Sequence, residues 1–189
     1  MGYIANLVEM CYNIRYIPYD GRVIFMTCTI ISTGDELKLV CKNENEPPYP
    51  EIKAKLREKI WELYCKGYDR FWINCEYGVP LWCGEIITAL AMYNDIELNI
   101  AMPYEEQSTN WVEEHRDRFF KIHSESDNVE IISNRYSDDC YDLADEHMIE
   151  NSDLLLVVGS DWDKCYGTGY ARNNSVKIEK FDVFRDRSN

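Results

Sequence analysis

The feature that most constrains the fold is an alternation of short apolar runs with longer helical patterns from Arg70 onward. The runs have the length and content of buried strands, and they are Arg70 to Asn74, Ile96 to Met102, Val129 to Ser133 and Leu154 to Gly159. This β-α-β-α order favours a mostly parallel sheet with helices on both faces. The sequence therefore predicts an α/β domain whose ligand site lies at the carboxyl ends of parallel strands.

An earlier strand is predicted over the β-branched run from Val23 to Ile31. After the proline cluster that follows, Ile52, Leu56, Ile60 and Leu63 recur at helical spacing, and Gly67 is a typical stop signal. A similar spacing from Trp111 to Ile122 predicts another helix and places His115 on its apolar face. We expect a core or boundary role for this histidine, because no acid or cysteine partner is evident in the sequence.

Length and composition indicate one ordered domain over residues 1–189, in which residues 1–20 and 185–189 are peripheral. A formal charge of -14 repels the backbone of a nucleic-acid polymer, which we therefore do not expect as a partner. A single phosphate is a different case, because local backbone amides can hold it.

The apolar runs are too short to span a membrane, and no secretory leader is recognisable at the N-terminus. The eight cysteines contain no C-x-x-C pair that would suggest zinc. We expect free, buried thiols in a reducing compartment, no structural metal and a cytoplasmic location.

The segment most informative about function runs from Phe71 to Leu90. A strand ends at Asn74, a turn centres on Gly78, and Pro80 occupies the favoured first position of a helix. This arrangement aims the amides after Gly78 at the ligand edge of the sheet. The chain reads N-C-E-Y-G-V-P-L-W-C-G-E here, which resembles the pattern S-G-x-x-G-V-[DE]-L-W-A-A-E of the YpsA-like branch of the SLOG superfamily.

A second motif strengthens the resemblance. The family has P-[FY]-x-x-Q-x-x-x-W after the next strand, and this chain has Pro103, Tyr104, Gln107 and Trp111 in that register. An aromatic ring can stack on a planar base, and a glutamine amide can both donate and accept toward a base or ribose edge. The alternative is a helix entry whose Trp111 packs on the core.

Two looser matches follow. Ala144 and Asp145 stand where the family has Arg-Asn, which removes a bidentate partner for an anion. Beyond the strand that ends at Gly159, Gly167, Thr168 and Gly169 resemble the family's glycine-threonine loop. These amides could hold a phosphate or form an ordinary turn.

The resemblance is strongest over residues 70–178 and implies a three-layer, Rossmann-like SLOG domain. It implies binding of a nucleotide-derived small molecule of the ADP-ribose, NAD-derived or nucleotide type, and a homodimer by analogy. The ligand-binding candidates also include Thr33 and Gly34 after the first strand, Asn74, Glu76 and Gly78 after the second, and Gly159. No cofactor is required, although Asp161 and Asp163 could bring Mg²⁺ to a nucleotide ligand.

Two alternatives stay open. One is a nucleotide N-glycosidic hydrolase like the related lonely-guy phosphoribohydrolases. Their motif has a glutamate where this chain has Ala171, so Glu85 would have to supply the acid. The other is a non-catalytic interaction module with a vestigial pocket, which the missing arginine and glycine positions would explain.

Overall fold

The computed structural model describes residues 25–33 and 44–184. Six strands and five α-helices lie in this part of the chain, with a short 3-10 turn at Trp162–Lys164. The strands are β1 Met26–Thr33, β2 Tyr68–Ile73, β3 Glu97–Met102, β4 Asn128–Ile131, β5 Leu154–Gly159 and β6 Lys177–Phe181. The helices are α1 Tyr49–Cys65, α2 Val79–Ala91, α3 Glu113–Glu125, α4 Cys140–Glu150 and α5 Tyr166–Asn173.

All pairings in this sheet are parallel, in the order β4-β3-β2-β1-β5-β6. The chain lays down β2, β3 and β4 on one side of β1, and then crosses to add β5 and β6 on the other side. β1 and β5 pair over six residues, from Cys28 opposite Leu154 to Thr33 opposite Gly159. The topological switch point of the sheet therefore lies between β1 and β5.

Alternating side chains of the strands feed two separate cores. On β1, Cys28 and Ile30 join the larger core with helices α1, α2 and α3, whereas Ile31 faces the smaller core with α4 and α5. On β5, Leu156 belongs to the first core and Val157 to the second. The sheet thus lies between two helical layers, which confirms the three-layer, Rossmann-like α/β fold.

Most element predictions are confirmed to within a few residues. The predicted strand from Val23 is displaced, because β1 begins at Met26 and continues to Thr33, while Val23 and Ile24 lie outside the described residues. β6 was not predicted, since three of the five residues in its sequence KIEKF are charged and the strand occupies an edge of the sheet. Trp111 precedes α3, and His115 is partly buried in its first turn against the ring of Tyr77 at 4.4 Å.

The structure tests the predictions of free cysteines and of no membrane-spanning segment. Five described cysteines are free: Cys28, Cys75, Cys83, Cys140 and Cys165. The prediction of free thiols is wrong for Cys65, which is disulfide-bonded. None of the helices in the described ranges is both long and apolar enough to cross a bilayer.

An ion-pair network joins the three helices of the larger core at their outer surface. Arg118 of α3 donates to both carboxylate oxygens of Glu85 on α2, at 2.6 and 2.8 Å, and to Glu44 at 3.0 Å. Lys53 of α1 also donates to Glu44. Burial raises the pKa of Glu44, but the hydrogen bonds from Arg118 and Lys53 outweigh it and lower that pKa to about 2. The network therefore stabilises the folded state while Glu44 is ionised.

The substitution Glu44→Gln should lower the free energy of unfolding at neutral pH by about 1.5–3 kcal/mol, as expected for hydrogen bonds to a charged group. In the parent chain this contribution is complete above the ordinary pKa of 4.5 and is lost as the pH falls toward about 2. Urea denaturation across that range measures both effects. Glu58→Gln, at an exposed position on α1, is the matched control, and an equal loss in both variants would contradict the assignment.

Candidate functional site

The carboxyl ends of all six strands meet at one edge of the sheet, because every pairing is parallel. At the switch point the end of β1 and the end of β5 lie side by side, and the Thr33 hydroxyl donates to the carbonyl of Asp161 at 3.5 Å. Gly159 has a φ of 126°, a conformation that favours glycine, so the chain can turn away sharply there. In open α/β sheets, ligands bind in the crevice at this position.

The turn after β2 is held by its own polar groups. The Asn74 side-chain oxygen accepts from the Glu76 amide at 3.0 Å, and the Glu76 carbonyl accepts from the Leu81 amide at 3.0 Å. The carbonyl of Gly78, which has a φ of 103°, accepts from the Trp82 amide. The sequence predicted outward-facing amides after Gly78, but those of Leu81 and Trp82 already have partners. This turn positions Glu76 and offers a ligand fewer backbone donors than expected.

The loop after β3 is fastened to this turn by Gln107. Its amide nitrogen donates to the carbonyl of Asn74 at 3.1 Å, and the residue is only 2% exposed. The predicted role in reading a base edge is therefore limited to the side-chain oxygen, which has no hydrogen-bond partner among the described residues. Trp111 packs its ring on Tyr77 and Phe119, which is the alternative that the sequence had left open.

Tyr104 follows the buried Pro103 at the end of β3 and contacts two further aromatic rings. Its ring lies edge-on to that of Tyr136, with centroids 5.4 Å apart, and to that of Tyr141 at 6.3 Å. Tyr136 is exposed, so this aromatic group opens to solvent. A planar base could stack here without displacing the core.

Asp145 lies one helical turn after Tyr141 on the same face of α4. Its Oδ2 is 3.3 Å from the point where a side-chain carbon on Gly167 would lie, so the carboxyl contacts the first turn of α5. Burial, followed by the charges of Glu76 and Asp142, raises the pKa of Asp145 to about 8. Burial and the charge of Glu76 also raise the pKa of Tyr141. We call Glu76, Tyr104, Tyr141 and Asp145 the edge cluster.

The glycine-threonine segment is placed beside the edge cluster by α5. Gly167 is buried, and a side-chain carbon there would come within 2.8 Å of Ile31 on β1. Thr168 is 1% exposed, and its hydroxyl has no hydrogen-bond partner in the described part of the chain. Gly169 is exposed, with nothing within 4 Å of the corresponding point. Gly167 and Thr168 therefore belong to the candidate site, whereas Gly169 lies outside it.

The remaining predicted residues have other surroundings. Both carboxylate oxygens of Glu85 accept hydrogen bonds from Arg118 in the ion-pair network. Asp161 pairs with Lys164, and Asp163 pairs with Arg172 and Lys180. Within the ranges that the structure describes, no group of histidine, cysteine or acidic side chains could hold a metal ion. Gly34 lies outside those ranges.

Two shallow cavities occur away from the edge cluster. One of about 200 Å³ lies between α2 and α3 and includes Glu85, Arg118 and Ile122 in its lining. The other, of about 150 Å³, lies at the opposite edge of the sheet and includes Asp69 and Asp127. Both are smaller than the roughly 300–1,000 Å³ typical of ligand pockets.

Sequence reasoning missed Tyr141 and Asp145 as members of the site. Their spacing of four residues on a predicted helix places both on one face, and this signal was present in the sequence. Their proximity to Tyr104 and Gly167 depends on the crossing from β4 to β5, which no local pattern reveals.

Comparison with known proteins agrees with this geometry. A family model for YpsA, described as the YspA SLOG family, matches residues 33–180. The chain belongs to this family. It is 33% identical over 119 residues to a UPF0398 protein of Bacillus cereus strain B4264, covering 61% of this chain and 65% of that protein. The same values relate it to a UPF0398 protein of Bacillus thuringiensis strain Al Hakam. The matched region thus spans slightly less than two thirds of these YpsA-family relatives.

Asp145 should make the stability of this YpsA-family chain depend on pH. Its pKa is about 8 in the folded state and ordinarily 3.8, so between these values the folded state binds more protons. The free energy of unfolding should therefore fall as pH rises, by up to about 1.4 kcal/mol per pH unit for one group. Urea denaturation at several pH values should show that Asp145→Asn reduces this slope. Asp117→Asn, at an exposed position on α3, should leave the slope unchanged.

The two glycines of the glycine-threonine segment should respond oppositely to alanine. Gly167→Ala forces the end of the Ile31 side chain to move where Asp145 and Ile149 leave little room, and overpacking of this kind costs about 1–3 kcal/mol against a gain of up to about 1 kcal/mol in helix propensity. Gly169→Ala meets open space and should stabilise the helix by up to about 1 kcal/mol. Thermal denaturation measures both, and a similar shift in the same direction would contradict the packing argument.

Proposed function

We propose that this chain binds a nucleotide-derived small molecule at the carboxyl edge of its sheet, beside the β1–β5 switch point, in a regulatory or sensing role. The observation that carries the proposal is the edge cluster with its neighbours. An aromatic group, partly buried acids and the Thr168 hydroxyl, which has no hydrogen-bond partner among the described residues, all lie on segments that follow the carboxyl ends of β2 to β5, where ligands of open α/β sheets bind. Membership of the YspA SLOG family supports the same class of ligand through the resemblance of its motifs.

Each part of such a ligand has a matching surface. The rings of Tyr104, Tyr136 and Tyr141 offer edges and faces for a base. The acids of the edge cluster and the Thr168 hydroxyl suit the hydroxyl groups of a ribose, because both residue types accept hydrogen bonds. The ligand class is ADP-ribose, an NAD derivative, a nucleotide or its nucleoside. Mg²⁺, a homodimer and a cytoplasmic location stay predictions.

The alternative functions have less support. N-glycosidic hydrolysis required Glu85 as the acid, and both oxygens of that carboxylate already accept hydrogen bonds from Arg118. A vestigial pocket is less consistent with the buried Thr168 hydroxyl, which has no partner in the part of the chain that the structure describes, because such a group costs stability unless something binds it. A vestigial pocket predicts that no small molecule binds, which the following experiment tests, whereas a hydrolase predicts binding followed by release of the free base.

A thermal-shift panel should contain NAD, ADP-ribose, cyclic ADP-ribose, nucleosides and nucleoside mono-, di- and triphosphates. A ligand at about 100 times its dissociation constant should stabilise the chain by about 2.7 kcal/mol. Tyr104→Ala should then weaken binding of the responding compound about ten-fold or more by calorimetry, since stacking on one base contributes about 1–3 kcal/mol.

Tyr93→Ala is the matched control, because Tyr93 is 85% exposed just after the carboxyl end of α2, at the opposite edge of the sheet. It should bind the compound as the parent chain does. Equal binding by the Tyr104 and Tyr93 variants would place the ligand elsewhere. A flat response across the panel, with folded protein, would overturn the proposal.

A further inference from the structure

The carboxyl of Asp145 lies against the first turn of α5, on the side where Gly167 also contacts Ile31 and Ile149. Its Oδ2 lies 3.3 Å from the side-chain position of Gly167, in the first turn of α5. Amides at a helix start ordinarily favour an anion. In this chain an acid of the protein already lies against that turn, so the local chemistry differs from that of a simple phosphate loop.

The charges that act on Asp145 from the described residues are those of Glu76 and Asp142, and both are negative. Asp145 itself has no hydrogen bond or ion pair with any other described residue. Ala144, its neighbour, is buried and brings no cation to the site. A phosphate beside ionised Asp145 would therefore meet like charge at close range without compensation from this helix.

The same groups suit hydrogen-bond donors. The carboxyl of Asp145 can accept from two hydroxyls, and an acidic side chain that accepts from ribose is a common device in dinucleotide-binding folds. The Thr168 hydroxyl, buried and without a partner among the described residues, lies on the residue next to Gly167. A ribose edge would supply hydroxyl groups that donate to the Asp145 carboxyl and form a hydrogen bond with the Thr168 hydroxyl.

We propose that Asp145 selects for the sugar hydroxyls of a nucleoside and excludes phosphate from the first turn of α5. This inference rests on the proposed function and narrows it to ligands that place a ribose diol, not a phosphate, against Gly167 and Thr168. Tyr104 and Tyr141 then hold the base, since Tyr141 lies one turn before Asp145 on α4.

The protonation state of Asp145 makes the discrimination between ribose and phosphate depend on pH. Ribose hydroxyls favour ionised Asp145, whereas a phosphate requires the protonated acid, so discrimination should increase as pH rises through about 8. The titratable groups that face Asp145 are Glu76 after β2, Asp142 on α4 and Tyr166 on α5. The pKa of Tyr166 is raised to about 12, so its phenol stays neutral over this range.

Calorimetric titration of the full chain with adenosine and with AMP tests the inference, because the two probes differ only in the phosphate. At about pH 8.5 the parent chain should bind adenosine about ten-fold or more tightly than AMP, and this ratio should shrink at about pH 6.5. Asp145→Asn, which keeps the size of the side chain, should bring the two affinities within about three-fold at both pH values. Asp117→Asn should retain the ratio of the parent chain.

The outcomes separate this inference from the proposed function. If the ratio of the adenosine and AMP affinities is the same in the parent chain and in Asp145→Asn, the role of Asp145 is overturned. Binding of a nucleoside or nucleotide would then still stand. Tighter binding of AMP than of adenosine by the parent chain would also overturn the role of Asp145. Failure of the folded parent chain to bind adenosine, AMP or any compound of the panel would overturn both.

Discussion

The pairing of β1 with β5 is the constraint on which the rest of the structure depends. Its six residue pairs bring together segments more than a hundred residues apart and reverse the direction in which the sheet grows. Because of this reversal, α1, α2 and α3 cover one face while α4 and α5 cover the other. The crevice between these layers is therefore located by topology before any side chain is considered.

The elements that the sequence predicted are those whose local pattern and final environment agree. β5 is apolar throughout and entirely buried, and α1 repeats its apolar residues at the spacing of one helical face. β6 was not predicted because an edge strand needs little apolar content. Its charged residues form ion pairs instead, Glu179 with the buried Lys59 and Lys180 with Asp163. Its existence depends on tertiary contacts with β5, which a local window does not contain.

The candidate site was likewise predictable only in the parts that a local sequence pattern reveals. Tyr104, Gln107 and the Gly167–Thr168 pair were found through motifs, and the fold brings them to one edge. Their roles were less predictable, because hydrogen bonds decide them. Gln107 has its amide nitrogen bound to Asn74, and the carboxylate of Glu85 is bound by Arg118. Asp145 gained its place only through packing of α4 against α5, which juxtaposes its carboxyl and Gly167.

The turn after β2 shows how this site differs from its family's pattern. Cys75 has a φ of 54°, in the left-handed region, where the resemblance places a glycine. A residue with a side chain pays about 1–2 kcal/mol for that conformation, yet the turn keeps it, and the buried thiol packs in the larger core. The turn that presents Glu76 thus carries a conformational cost, while an acid stands at position 145 where the resembled pattern has an amide. Strained residues of this kind cluster at functional sites, because the surrounding structure must hold them in place, and the turn therefore supports the proposed ligand site at this edge of the sheet.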